Sequence, residues 1–183
     1  MAELCLVRRM KALAAIVLIL ASTSVYAQKV TGAEIVECGI LKKIKSDGVL
    51  DAPNALTGKV NNVIVSQLVQ STTTIKASIG TTFGILVKLI GEPDGAIITS
   101  HFRCIHPKLT DPVSGHTGET EEWEGPLRVG VARYVSYTFD NEWELVPGKW
   151  TIQVLDSGKI LAEKTFEVIA ASTSNQPMKP TAP

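Results

Sequence analysis

The sequence predicts an all-β protein, an antiparallel β-sandwich of about seven to eight short strands. Three observations carry the prediction. Apolar and β-branched residues recur at every second position in short runs. Clusters of Gly, Pro, Asp and Ser punctuate those runs. No long stretch carries the 3.6-residue period of an amphipathic helix.

The first segment stands apart from the strands. Arg8, Arg9 and Lys11 precede an apolar run from Ala12 to Ala21, and Val25-Tyr26-Ala27 supplies a small-residue end. This is the order of a secretory signal peptide, residues 1–27, with cleavage expected after Ala27. The apolar run falls short of the ~20 residues that span a bilayer. No cysteine follows the expected cleavage point, so lipidation there is not indicated. A domain over residues 28–169 is expected beyond it, periplasmic or secreted, with no later segment apolar enough to cross a membrane.

Strands follow in order. Val36, Cys38 and Ile40 share one face of the first. Lys59–Val69 is rich in β-branched residues, and Thr72–Gly80 continues in that style. Phe83, Ile85, Val87 and Leu89 alternate on a third run. Pro93-Asp94-Gly95 has the chemistry of a tight turn. Ala96, Ile98, Ser100, Phe102 and Cys104 then alternate on the return, so the two runs read as a β-hairpin. Pro107 is expected to end that strand, because proline cannot donate to a ladder. Between Pro107 and Pro126 lie three prolines, three glycines and four glutamates. This predicts a long loop of the functional or mobile kind.

Val129, Val131, Val135, Tyr137 and Phe139 resume the strand pattern, interrupted by Arg133. A closing hairpin turns at Asp156-Ser157-Gly158-Lys159, with Trp150, Ile152 and Val154 inward before it. Phe166 and Val168 face inward after it, and Lys164 on the same face predicts a bulge or shifted register. Residues 170–183 are polar and proline-rich and predict a disordered tail. Strands of this number and spacing favour an immunoglobulin-like sandwich, with a closed barrel as the other solution.

Several of these stretches resemble a known family. Ile75, Gly80, Phe83 and Gly84, then His106-Pro107, then Trp143-Glu144-Leu145, Pro147-Gly148, Trp150, Phe166 and Val168 are similar to the pattern of the bacterial family called domain of unknown function 3859. The resemblance covers most of residues 30–168. It implies a small extracytoplasmic β-domain and implies no activity or site residues.

Charge narrows the function classes. Lys and Arg number 18, as do Asp and Glu. Loss of residues 1–27 removes three bases and one acid, leaving 15 against 17. That balance lacks the basic face that nucleic acid demands. Cys38 and Cys104 remain, both alternating with core-facing residues, and an oxidising compartment predicts a disulfide between them.

Three constellations are candidates for chemistry. His101, His106 and His116 fall within sixteen residues, with Cys104 and Asp111 nearby. Imidazole and thiolate suit zinc or copper, but the odd spacing of His101 and His106 puts them on opposite strand faces. Ser114 lies near His116, yet no G-x-S-x-G is present, and two such residues on a flexible loop make no nucleophilic site. Glu121, Glu122 and Glu124 surround Trp123, and calcium-loop spacing is absent. With His116 these residues read as a partner surface, an aromatic anchor with a charged rim. Trp150 reads as core and Trp143 as corner packing. The sequence therefore predicts a non-catalytic binding or structural module of the cell envelope, with a protein or envelope polymer as partner and no cofactor. The alternative is a metal-binding or redox protein using the region around His101, Cys104, His106 and His116.

Overall fold

The computed structural model describes residues 28–171. The expected signal peptide and all but the first two residues of the expected tail lie outside them. Among the described residues nine strands form: β1 (Lys29–Asp51), β2 (Lys59–Ser71), β3 (Thr74–Ala77), β4 (Thr82–Glu92), β5 (Ile97–Thr110), β6 (Thr117–Arg128), β7 (Ala132–Thr138), β8 (Gly148–Asp156) and β9 (Lys159–Ala170). One turn of 3-10 helix, Glu142–Glu144, precedes β8.

The strands divide into two sheets, ordered β2-β1-β4-β7 and β3-β9-β8-β5-β6. The run β9-β8-β5-β6 repeats the order of strands G, F, C and C′ in variable-type immunoglobulin domains. Period-two patterning builds the core. Phe83, Ile85, Val87 and Leu89 from β4 meet Phe102, Cys104, Trp150, Ile152 and Val154 from β5 and β8. Phe83, Tyr137, Phe139, Trp150 and Phe166 form one aromatic cluster, with Trp150 centroids 5.0 Å from Tyr137 and 5.2 Å from Phe139. Such edge-on pairs add roughly 0.5–1.5 kcal/mol each beyond burial. Trp150 is fully buried, and its indole N–H donates to the Val146 carbonyl at 3.1 Å. Trp143 is half-buried against the same core.

Four expectations are corrected. The strands of the described residues number nine, and β3 pairs with β9 in parallel. The β4 and β5 runs are no hairpin; they lie in different sheets. Each presents an apolar face to one shared core, so alternation alone does not distinguish pairing from facing. The segment between them instead bonds the β6–β7 connection, through Gly95 N–H to the Val129 carbonyl at 3.0 Å. The long loop of 107–126 is the hairpin β5–β6, and only residues 111–116 connect its strands. Pro107 sits where the β5–β6 register breaks, between Ile105 and Leu109, and beyond the stretch paired with β8. No ladder bond asks for its missing N–H there. Pro126 lies on an edge strand, which tolerates proline for the same reason. Lys164 keeps the inward parity of Phe166 but stays half-exposed, and the register shift falls nearby, at Val154/Leu155.

β1 is long because it serves two partners. Lys29–Leu41 pairs with β4, and Gly39–Asp51 pairs with β2. Successive register shifts from Ile40 to Val49 add twist, and the β1–β2 arm leaves its sheet. Its turn docks on the opposite sheet. Glu122 N–H donates to the Asn54 carbonyl at 3.3 Å, and Ala52, Ala55 and Leu56 are buried. Asn61 on β2 donates from Nδ2 to Asp140 Oδ2 at 2.7 Å, and Lys43 on β1 lies 3.9 Å from Asp140. The arm thus bridges the two sheets on their open side.

Candidate functional site

The residues singled out from sequence do not all converge. His101 is exposed on β5, its Nδ1 3.2 Å from Glu124. His106 is buried, its ring 5.0 Å from Trp150 and its Nδ1 2.8 Å from the Pro107 carbonyl oxygen. Burial pushes its pKa down. His116 lies on the exposed β5–β6 turn. Among the described residues no group of three His, Cys, Asp or Glu is placed to hold a metal ion. Ser114 is a turn residue: its hydroxyl donates to Asp111 Oδ2 at 2.7 Å and accepts from His116 N–H at 3.2 Å. The Ser114 hydroxyl, followed by Val113 N–H, holds the Asp111 carboxyl below its usual range.

The expected disulfide is absent; both cysteines are free. Cys38 lies half-buried on β1 in one sheet, and Cys104 is fully buried on β5 in the other. Packed sheets stand about 10 Å apart, whereas a bridge needs Cα atoms within about 7 Å. Burial also pushes the Cys104 thiol well up, followed by the nearby charge of Glu121.

The acidic segment is a strand, so its residues take opposite faces. Glu122 points outward and accepts from Arg103 Nε at 2.6 Å. Glu124 points outward beside His101. Glu121 and Trp123 face inward. Trp123 is half-buried, its ring centroid 5.8 Å from Phe102. Glu121 is only 7% exposed.

Those two inward residues stand on one wall of an open cleft of about 770 Å³. β6 and β7 are the outer strands of their respective sheets on this side. The cleft lies between them, with Trp123 on one wall and Tyr137 on the other. The arm lines it with Val49, Leu50, Val60 and Asn61. Asp140, Asn141 and Glu144 also line it.

Its electrostatics are set by buried acids. Burial raises the Glu121 carboxyl to about 7, helped by the charge of Glu144, while the Leu56 N–H works against the rise. Burial likewise raises Glu144, which is 4% exposed. Its oxygens accept from Asp140 N–H and Asn141 Nδ2, both at 2.8 Å. The Tyr137 hydroxyl is pushed far up by burial, then by Glu121 and Glu144. The salt bridges of the described residues join Lys43–Asp140, Lys88–Glu34, His101–Glu124 and Arg103–Glu122; none reaches Glu121 or Glu144. Two buried carboxyl groups therefore border the cleft with no ion-pair partner among the described residues.

Sequence reasoning found Glu121 and Trp123 and missed Glu144, Tyr137 and the arm. Glu144 was legible only as part of a Trp-Glu-Leu signature. The arm's approach to β7 joins segments about eighty residues apart, such as Asn61 and Asp140, and leaves no local signal.

The chain belongs to the family described as Domain of unknown function (DUF3859), whose model matches residues 29–168. No curated protein matches it. An immunoglobulin-like protein from Pseudomonas aeruginosa is similar in structure, with 24% identity and a TM-score of 0.54, over 75% of this chain and 96% of that one. That likeness shows the fold alone. An alkylpurine DNA glycosylase from Pseudomonas fluorescens aligns with 16% identity and a TM-score of 0.33, over 52% of this chain and 27% of that one, a level that carries no argument.

Proposed function

We propose that this family member is an exported, non-catalytic binding module whose partner, a protein or an envelope polymer, seats in the cleft between β6 and β7. One observation carries the reading: the open cleft joins a half-exposed aromatic, Trp123, to the buried carboxyls Glu121 and Glu144, neither of them in an ion pair among the described residues. A buried acid costs stability in its ionised form unless a cation or hydrogen bonds meet it, and a partner supplying a cation lowers that cost. An aromatic beside such a site is the common anchor of an interface. The charged segment of residues 1–27 supports export. The group that suggested nucleophilic chemistry, Ser114, is held in its turn, and Cys104, named for metal or redox chemistry, lies within the core.

The test is co-purification from the cell envelope after chemical cross-linking. Trp123→Ala removes the anchor, and Trp123→Phe keeps most of its contact with Phe102. The expected result is loss of the partner with alanine, by about 2 kcal/mol for a central anchor, and retention with phenylalanine. Equal recovery with both folded variants would place the interface elsewhere.

One observation favours a second reading: a carboxyl near pKa 7 in a cleft is suited to general acid catalysis. Turnover of chromogenic glycosides or esters that is lost in Glu121→Gln would support it over binding alone.

A further inference from the structure

Among the described residues β7 is the last strand of its sheet, and one side of its backbone has no neighbouring strand. Its ladder with β4 runs unbroken from Thr82↔Thr138 to Lys88↔Ala132. Phe139 N–H donates to the Thr81 carbonyl at 3.1 Å, toward β4. Antiparallel alternation then turns the N–H and C=O groups of Tyr134, Ser136 and Thr138 away from β4. All three residues line the cleft. Arg133 closes one end of this edge, donating from Nη1 to the Pro126 carbonyl at 2.5 Å. Edge strands are commonly blunted by proline, lysine or a bulge; β7, ARYVSYT, has no proline, lysine or register shift.

Charge specifies what fits beside that edge. Glu121, Glu124, Asp140 and Glu144 line the cleft against Lys59 and Arg133, and Arg133 is engaged with Pro126. Glu121 and Glu144 are each more than nine-tenths buried and lack a cation among the described residues. An added strand would offer side chains alternately to the cleft and to solvent. One of the inward side chains can meet the carboxylates while a neighbour lies on Trp123.

Building on the cleft as the binding site, we propose that its occupant is an extended polypeptide segment that adds as a strand to the free edge of β7 and directs a lysine or arginine toward Glu121 and Glu144. Backbone bonds to Tyr134, Ser136 and Thr138 give the affinity, and the cation gives the register.

Synthetic peptides of about ten residues, enough for one strand, test this against the chain from Gln28 onward. One alternates Thr and Val around a central Lys. A twin carries norleucine in place of Lys. Two more carry N-methyl groups on one or the other alternate set of residues. Binding is read by fluorescence anisotropy, and amide exchange locates it. The Lys peptide should bind about ten-fold tighter than its twin, the scale of one charge-assisted contact. It should slow exchange at Tyr134, Ser136 and Thr138. N-methylation of one alternate set should abolish binding while the other set is tolerated. Glu121→Gln should shrink the preference for Lys over norleucine. Equal binding of all peptides, protection confined to other strands, or no binding would overturn strand addition. Where peptides fail yet Trp123 remains needed for a cross-linked partner, the cleft reading stands and the occupant is of another class, an envelope polysaccharide included. Failure of both removes both.

Discussion

Burial holds the Glu121 carboxyl at about 7, against an ordinary value of 4.5. A folded-state pKa raised above the unfolded one means that the native state holds the proton more tightly. Its contribution is fully present below pH 4.5 and is lost as pH rises through 7. The span corresponds to about 3 kcal/mol. Burial drives His106 the other way, lowering its pKa, and raises Glu144 as well, so the overall profile mixes several groups. The comparison of Glu121→Gln with wild type isolates one of them. In urea titrations the variant should gain up to about 3 kcal/mol at pH 8 and little at pH 4.5. A gain independent of pH would mean that Glu121 is not the buried acid responsible. The cysteines give a second residue-scale expectation. Native protein should label at Cys38 alone, since Cys104 is fully buried with its thiol pKa raised. Denatured, unreduced protein should label at both positions. A chain two mass units lighter with no reactive thiol would restore the bridge.

At the scale of elements, the closing hairpin was readable because its turn has its own chemistry. Ser157 and Gly158 both take positive φ, 49° and 80°, as a two-residue hairpin turn requires. The β5–β6 hairpin was not readable, because Pro107, Pro126 and three glycines spoke for a loop. Prolines are silent about whether they fall at a register break or on an edge, where a strand accepts them. The β4–β5 crossover was hidden for a related reason: alternation reports which face is buried, not which sheet a strand joins. The arm depends on one close approach. The Gln70 carbonyl passes over Gly39 so tightly that a β-carbon there would collide with it. Gly39 also has a φ of 151°. Gly39→Ala should therefore cost several kcal/mol, comparable to a core lesion, and should free the arm. Thermal unfolding would give the loss, and faster amide exchange over β2 would show the release. A variant as stable as wild type would mean that β2 does not lie against β1 at this point.

For the whole molecule, both sheets give their inward faces to one core, and the cleft lies where β6, β7 and the arm fail to close over it. The core was legible in the sequence because period-two patterning lies within each strand. The cleft was not, because it is assembled from residues near positions 50–60, 121–126 and 133–144 that only the sheet order brings together. The central claim is that a partner occupies this space. Site-specific photo-cross-linking in cells tests it most directly, with a photoreactive residue placed at Asn61 on the arm, at Ser136 on β7, or at Val36. Asn61 and Ser136 line the cleft, whereas Val36 is exposed on β1 and does not. Adducts from Asn61 and Ser136 with the same partner, and none from Val36, are the predicted result. Adducts from Val36 alone, or none from the cleft positions in folded protein, would contradict the account.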